Sequence, residues 1–103
     1  MYKIEYRSAI LRDLEETTTY LCNELSAFSA ANKLLDKLDI VCKNLSEHPY
    51  MYKAYDSVLI LPEPYRIVAL DNYILFYTIN ENSQTVSLCL LFYGGRDFDN
   101  LLP

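Results

Sequence analysis

Residues 65–79 read "YRIVALDNYILFYTI", two apolar runs parted by Asp71-Asn72. β-Branched and aromatic residues dominate both runs, as strands prefer. Aspartate and asparagine tolerate left-handed backbone better than most residues, so the pair between them predicts a two-residue hairpin turn. The stretch reads as strand Tyr65–Leu70, turn, strand Tyr73–Ile79. The polar residues Asn80 to Gln84 predict the next turn, and Thr85 to Tyr93 a third and longer strand. In the second strand Ile74, Phe76 and Thr78 alternate with Tyr73, Leu75, Tyr77 and Ile79. In the third, Val86, Leu88, Leu90 and Phe92 oppose Cys89, Leu91 and Tyr93. Both faces of the sheet are therefore apolar, whereas an antiparallel sheet with one wet face alternates apolar and polar. The second face needs a cover, from the C-terminal tail or from a bound partner.

The chain before the hairpin supplies the first face. Tyr2, Ile4 and Tyr6 alternate with Lys3, Glu5 and Arg7, the period of a half-buried strand. Ser8 is an expected N-cap. Ile10, Leu11, Leu14, Thr18, Leu21, Cys22 and Leu25 then recur at helical spacing. A second helix opens near Ser29, with Ala31, Leu34, Leu35, Leu38, Val41, Cys42 and Leu45 as its stripe, and Pro49 ends it. The pattern predicts an α+β fold with an N-terminal strand, an αα-hairpin, then antiparallel strands. These form one twisted sheet, with the helices packed on one face. Residues 1–103 make a single domain, long enough to bury roughly two thirds of its unfolded surface.

With 51% hydrophobic residues the chain has a globular composition. A net charge of −5 argues against a broad basic surface for nucleic acid, so direct DNA binding by the chain alone is not expected. Lys3, Arg7, Lys53, Arg66 and Arg96 lie outside the two helices and can still converge locally. Cys22, Cys42 and Cys89 have no metal or redox spacing and are expected to be buried, reduced thiols, which suits the cytoplasm. No run is apolar enough for a signal peptide or a membrane span.

Both glycines of the chain stand together in "FYGGRD", Phe92 to Asp97. Glycine allows positive φ or close approach of other backbone, so the stretch reads as a sharp strand exit or a contact point. Either places Arg96 at the end of the last strand, beside Tyr93. Before the hairpin, "HPYMYKAYDS" sets Tyr50, Tyr52 and Tyr55 around Lys53. Such rings form a stacking platform beside a cation, for bases or for a partner peptide, or else they cover a sheet edge. Arg66 is a contact residue or the partner of a nearby carboxylate such as Glu63. Metal-free RNA cleavage needs a base for the 2′-hydroxyl and cations for the phosphorane. His48 reads as an exposed helix-end residue, and Glu15 and Glu16 as solvated helix charge. Asp97 and Asp99 have no third ligand, so no metal and no cofactor are expected.

The pieces "YKIEYRSAILRDLEETTTYL", "NLSEHP", "YRIVALDNYILFYTI" and "LLFYGGRDFDNLL" resemble, in order and spacing, the RelE/ParE superfamily, the toxins of bacterial type II toxin–antitoxin pairs. The resemblance implies a small cognate antitoxin that wraps the toxin, and a role in growth inhibition and plasmid stabilisation. RelE-like members cleave mRNA on the ribosome, and ParE-like members poison DNA gyrase. The mRNA-cleaving branch typically carries Tyr-Arg-x-x-Tyr in the strand that here reads Tyr73-Ile74-Leu75-Phe76-Tyr77. Ile74 stands where its arginine would be, and Leu102 where a tyrosine often follows. The resemblance therefore leans toward the ParE branch and away from enzyme activity, with catalytic residues unassigned. The target-contact candidates are Arg96, Arg66, Tyr93 and Lys53, and the partner-contact candidates Tyr50, Tyr52 and Tyr55. The alternatives are a ribosome-dependent endoribonuclease and a non-toxic relative that only binds a partner.

Overall fold

The structure, a computed structural model, describes residues 1–57 and 61–94. Strand β1 (Lys3–Tyr6) leads into helices α1 (Ser8–Asn23) and α2 (Phe28–Glu47), followed by β2 (Arg66–Leu70), β3 (Tyr73–Asn80) and β4 (Thr85–Tyr93). The strands form one sheet in the order β1-β4-β3-β2. The three later strands pair antiparallel, and β1 runs parallel to β4 with Tyr6 opposite Leu88. The sheet is therefore mixed, a pairing that the local pattern at Tyr2–Arg7 could not reveal.

Each predicted punctuation mark has a physical counterpart, with one exception. Asp71 takes left-handed backbone (φ 55°) in the β2–β3 turn, and Gln84 (φ 47°) closes the β3–β4 turn. The helices are joined by Glu24 to Ala27, where Ser26 is left-handed (φ 50°) and the Ala27 N–H bonds the Leu21 carbonyl at 2.7 Å. The exception is the start of α1. Arg7 is its N-cap, without a side-chain cap bond, and Ser8 is already helical. The extended backbone of Arg7 continues β1 by donating its N–H to the Leu88 carbonyl at 3.1 Å. Pairing with β4 thus decides where the helix begins.

The helices cover one face of the sheet. Ile10, Leu34, Leu38, Val41 and Leu45 meet Val68, Leu70, Leu75, Tyr77, Val86, Leu88 and Leu91 in the main core. Leu21 and Leu38 are both buried, as packing on the sheet requires. Leu11, Leu25 and Leu35, assigned to the inward stripes by spacing, are instead exposed.

A bulge explains how one face collects Val86, Leu88 and Leu91 together. Phe76 pairs with Leu90 but Tyr77 with Leu88, which leaves Cys89 as an extra residue on β4. An extra residue shifts the alternation by one, so positions that strict period-2 reading put on opposite faces share one. On the second face Tyr65, Phe76 and Cys89 form a smaller core, joined by Tyr55, Leu61, Ile67, Ile74, Leu90 and Phe92. The connector between α2 and β2 supplies much of its cover. It bonds alongside β2 through Tyr55 N–H to the Tyr65 carbonyl (2.9 Å) and Ile67 N–H to the Lys53 carbonyl (3.1 Å).

Gly94 answers half of the question raised by the glycine pair. Its N–H donates to the Asn72 carbonyl at 2.7 Å, closing the β3–β4 ladder against the hairpin turn. A Cβ there would stand 3.1 Å from that same oxygen, so close backbone approach is the reason for glycine. Gly94→Val should push Asn72 away and lower stability by about 1–3 kcal/mol in urea titrations. A midpoint equal to the parent's would refute the contact. Gly95, Arg96, Asp97, Asp99 and Leu102 lie outside the described residues.

Candidate functional site

The structure divides the sequence candidates between two ends of the sheet. Arg66 pairs with Tyr77 across the β2–β3 ladder, while Tyr93 pairs with Tyr73. The two positions are four residues apart along β3, or about 13 Å.

At the Arg66 end, the bridge between Ala54 and Arg66 brings the Tyr-rich connector against β2. The Arg66 guanidinium donates to the Tyr52 carbonyl at 2.5 Å and lies 5.0 Å from the centre of the Tyr50 ring. A cation over an aromatic face is attracted by the ring quadrupole, so Tyr50 and Arg66 orient one another. Arg66 does not pair with Glu63, whose carboxylate is taken by Arg7. Tyr52 accepts a hydrogen bond from Asn44 at 3.2 Å, which anchors the connector to α2. Glu81 receives the Tyr2 hydroxyl at 2.5 Å. This bond to Glu81, ahead of burial, pushes the Tyr2 hydroxyl up to about 12. Tyr50 remains 52% exposed with its ring against the Arg66 guanidinium, and Lys53 is exposed three residues further along the connector. Tyr50, Tyr52 and Arg66 thus come together as an aromatic surface around one guanidinium.

Tyr55 belongs to a different environment. Its ring meets Phe76 edge-on at 5.1 Å, and Phe76 in turn meets Tyr65 at 5.9 Å and Phe92 at 5.6 Å. Edge-to-face contacts of this kind hold the second core together.

At the other end Tyr93 is exposed and stands edge-on to Tyr73 at 5.6 Å. Both line an open groove of about 1070 Å³ between the helix hairpin and the β2–β3 turn, with Asp13, Glu16, Tyr20 and Lys33 on its helical walls. Asp13 accepts the Leu91 N–H at 3.0 Å. That amide lies beyond the end of β1, so the carboxylate replaces a missing strand partner. Lys37 pairs with Asp71 at 2.7 Å and ties α2 to the turn.

Sequence reading missed a third feature. Arg7 grips Glu63 with two parallel bonds of 2.7 Å, and its second amino group also reaches Thr78 at 3.4 Å. The guanidinium holds the Glu63 carboxyl below its ordinary range. Arg7 shares the side of Thr78, and Arg66 that of Tyr77, so these two arginines serve opposite faces. The signal available was weak: an arginine closing the β1 alternation, and a glutamate set between two prolines.

His48 is exposed at the C-terminal end of α2, and Glu15 and Glu16 are exposed on α1. Of the cysteines only Cys89 is fully buried, whereas Cys22 and Cys42 are half-buried. Burial pushes the Cys42 and Cys89 thiols up, which disfavours the thiolate. Among the described residues no three of His, Cys, Asp and Glu could hold a metal ion together, and no helix is long and apolar enough to cross a membrane.

A four-stranded mixed sheet with a helix hairpin on one face is the α+β architecture of the RelE fold. Residues 4–98 match the family described as ParE toxin of type II toxin-antitoxin system, parDE, and the chain belongs to that family. Solved structures share the fold. The RelBE2 toxin–antitoxin complex of Mycobacterium tuberculosis matches with a TM-score of 0.63 at 17% identity, over 89% of this chain and 96% of that one. The chromosomal ParDE system of P. aeruginosa matches with 0.67 at 13% identity, over 90% and 96%. The archaeal RelE–RelB complex of Pyrococcus horikoshii matches with 0.55 at 13%, over 92% and 97%. No curated protein sequence matches this chain significantly.

Proposed function

We propose that this chain is a toxin that a small cognate antitoxin neutralises in the cytoplasm, and that it inhibits growth by binding a protein target, DNA gyrase, without cutting mRNA. One observation carries the second half of this reading. The strand that bears Tyr-Arg-x-x-Tyr in the mRNA-cleaving branch is here committed to the two cores. Ile74, at the arginine position, packs into the cluster of Tyr65, Phe76 and Cys89. Tyr77, at the second tyrosine position, is fully buried and donates its hydroxyl to the Pro49 carbonyl at 2.9 Å. Burial pushes that hydroxyl up to about 12, far from a proton acceptor at neutral pH. The antitoxin reading is supported by family membership and by the complexes in which the structural relatives were solved. Arg96, Arg66, Tyr93 and Lys53 are the contact residues proposed for the target, and the exposed Tyr50 beside Arg66 is a contact proposed for the antitoxin.

Purified protein added to gyrase should inhibit supercoiling, and the same protein added to mRNA-programmed ribosomes should produce no codon-positioned cuts. Arg96→Ala should fold normally, still bind antitoxin and lose toxicity. Cleavage on ribosomes with gyrase unaffected would replace this reading with the endoribonuclease. Neither activity, together with antitoxin binding, would leave a non-toxic binding relative.

A further inference from the structure

Of the last residues before β2, Leu61 and Tyr65 pack into the second core, and few polar ties to other described residues hold the segment there. In Leu61-Pro62-Glu63-Pro64-Tyr65 the two prolines have no N–H to give. The Tyr65 N–H bonds back to the Glu63 carbonyl at 3.1 Å, inside the segment itself. Among the described residues its backbone is pinned from outside at Tyr65, where the carbonyl receives the Tyr55 N–H. Ahead of that pin the polar hold among the described residues is the Glu63 carboxylate, which accepts both amino groups of Arg7 at 2.7 Å and, more weakly, the Tyr65 hydroxyl at 3.4 Å. The Arg7 and Glu63 side chains are 39% and 33% exposed, and a groove of about 420 Å³ lined by Arg7, Glu63, Thr78 and Ser87 opens on them. The pair is thus accessible, while what it secures is not. Leu61 packs on a core in which Cys89 is 2% exposed and Phe76 fully buried.

We propose that the Arg7–Glu63 pair is a latch. Engaged, it holds residues 61–64 against the sheet's second apolar face. Released, it lets that segment swing about Tyr65 and uncovers the face together with the Cys89 thiol, while the helix-side core stays folded. Local opening of this kind is favoured where a segment has few backbone bonds into the fold. The pair joins the β1–α1 junction to the entry of β2, so an event at the N-terminal strand can reach the second face. The inference stands apart from the choice between gyrase and ribosome.

Cys89 reports the latch directly. In protein carrying Cys22→Ser and Cys42→Ser, its reaction with Ellman's reagent should be slow under native conditions. Adding Glu63→Gln removes the charged, two-pronged bond and should raise the rate about tenfold. Adding Arg7→Lys instead keeps the charge but loses the fork, and should give a smaller rise. Both increases should depend only weakly on urea, because local opening exposes little surface. An unchanged rate in Glu63→Gln overturns the latch. So does an increase with the full urea dependence of global unfolding, which would mean that the pair stabilises the whole molecule and releases nothing locally.

Discussion

Phe76→Ala should lower the unfolding free energy by about 3–5 kcal/mol, a large share of the stability of a domain this size. The ring is fully buried at the centre of the second core. Tyr55, Tyr65 and Phe92 all meet it edge-on, so its removal leaves three rings facing one cavity. Two of those rings come from the connector and the entry of β2, while Phe92 comes from β4. The cavity therefore loosens the contact between strands and cover, and cannot be filled by a shift of one side chain. Urea titration followed by far-UV circular dichroism measures the effect. A loss below about 1 kcal/mol would mean that the second face does not form a packed core, and the account of its cover would fall.

How far the sequence could foresee this depends on the distance over which each feature is determined. The hairpin Arg66–Asn80 was legible because turn chemistry at Asp71-Asn72 and the flanking apolar runs are local and agree. The doubly apolar strands correctly announced a covered second face. That the connector helps to cover it was one of two open readings, since a tyrosine-rich stretch suits a binding platform as well as a lid. The bulge at Cys89 was invisible for a simple reason. From Leu88 to Phe92 every residue is apolar, and a slip in alternation leaves no mark where both faces look alike. The parallel pairing of β1 with β4 joins residues some eighty positions apart, beyond any local pattern.

The candidate site shows the same division. The sequence brought Tyr50, Tyr52 and Lys53 together because they are neighbours in the chain. Arg66 joins them only through the bridge with Ala54, and its stacking on Tyr50 follows from that bridge. The suggestion that Arg66 pairs with Glu63 failed because nearness in sequence is a poor guide where prolines fix the backbone. Glu63 instead meets Arg7, 56 residues away. Tyr93 was grouped with Arg66 on the strength of the family likeness, and the ladder separates them.

Leu38→Ala and Leu35→Ala should differ sharply, and the contrast tests the orientation of α2. Helical spacing places both leucines on one apolar stripe. In the fold Leu34, Leu38, Val41 and Leu45 form the line that meets the sheet, and Leu35 sits at its outer margin. Leu38 is 4% exposed and Leu35 40%. Truncating Leu38 removes buried methyl groups between helix and strands, where neither rigid element can collapse, and should cost about 2–5 kcal/mol. Truncating Leu35 removes groups that already touch solvent, and should cost less than about 1 kcal/mol. Equal losses would mean that α2 is rotated about its axis, away from the orientation that buries Leu38. Rotation by one residue would carry Lys37 away from Asp71 and Asn44 away from Tyr52, since both bonds depend on the same helical phase. The anchoring of the connector, and with it the placement of Tyr50 over Arg66, therefore rests on the face that this pair of substitutions identifies.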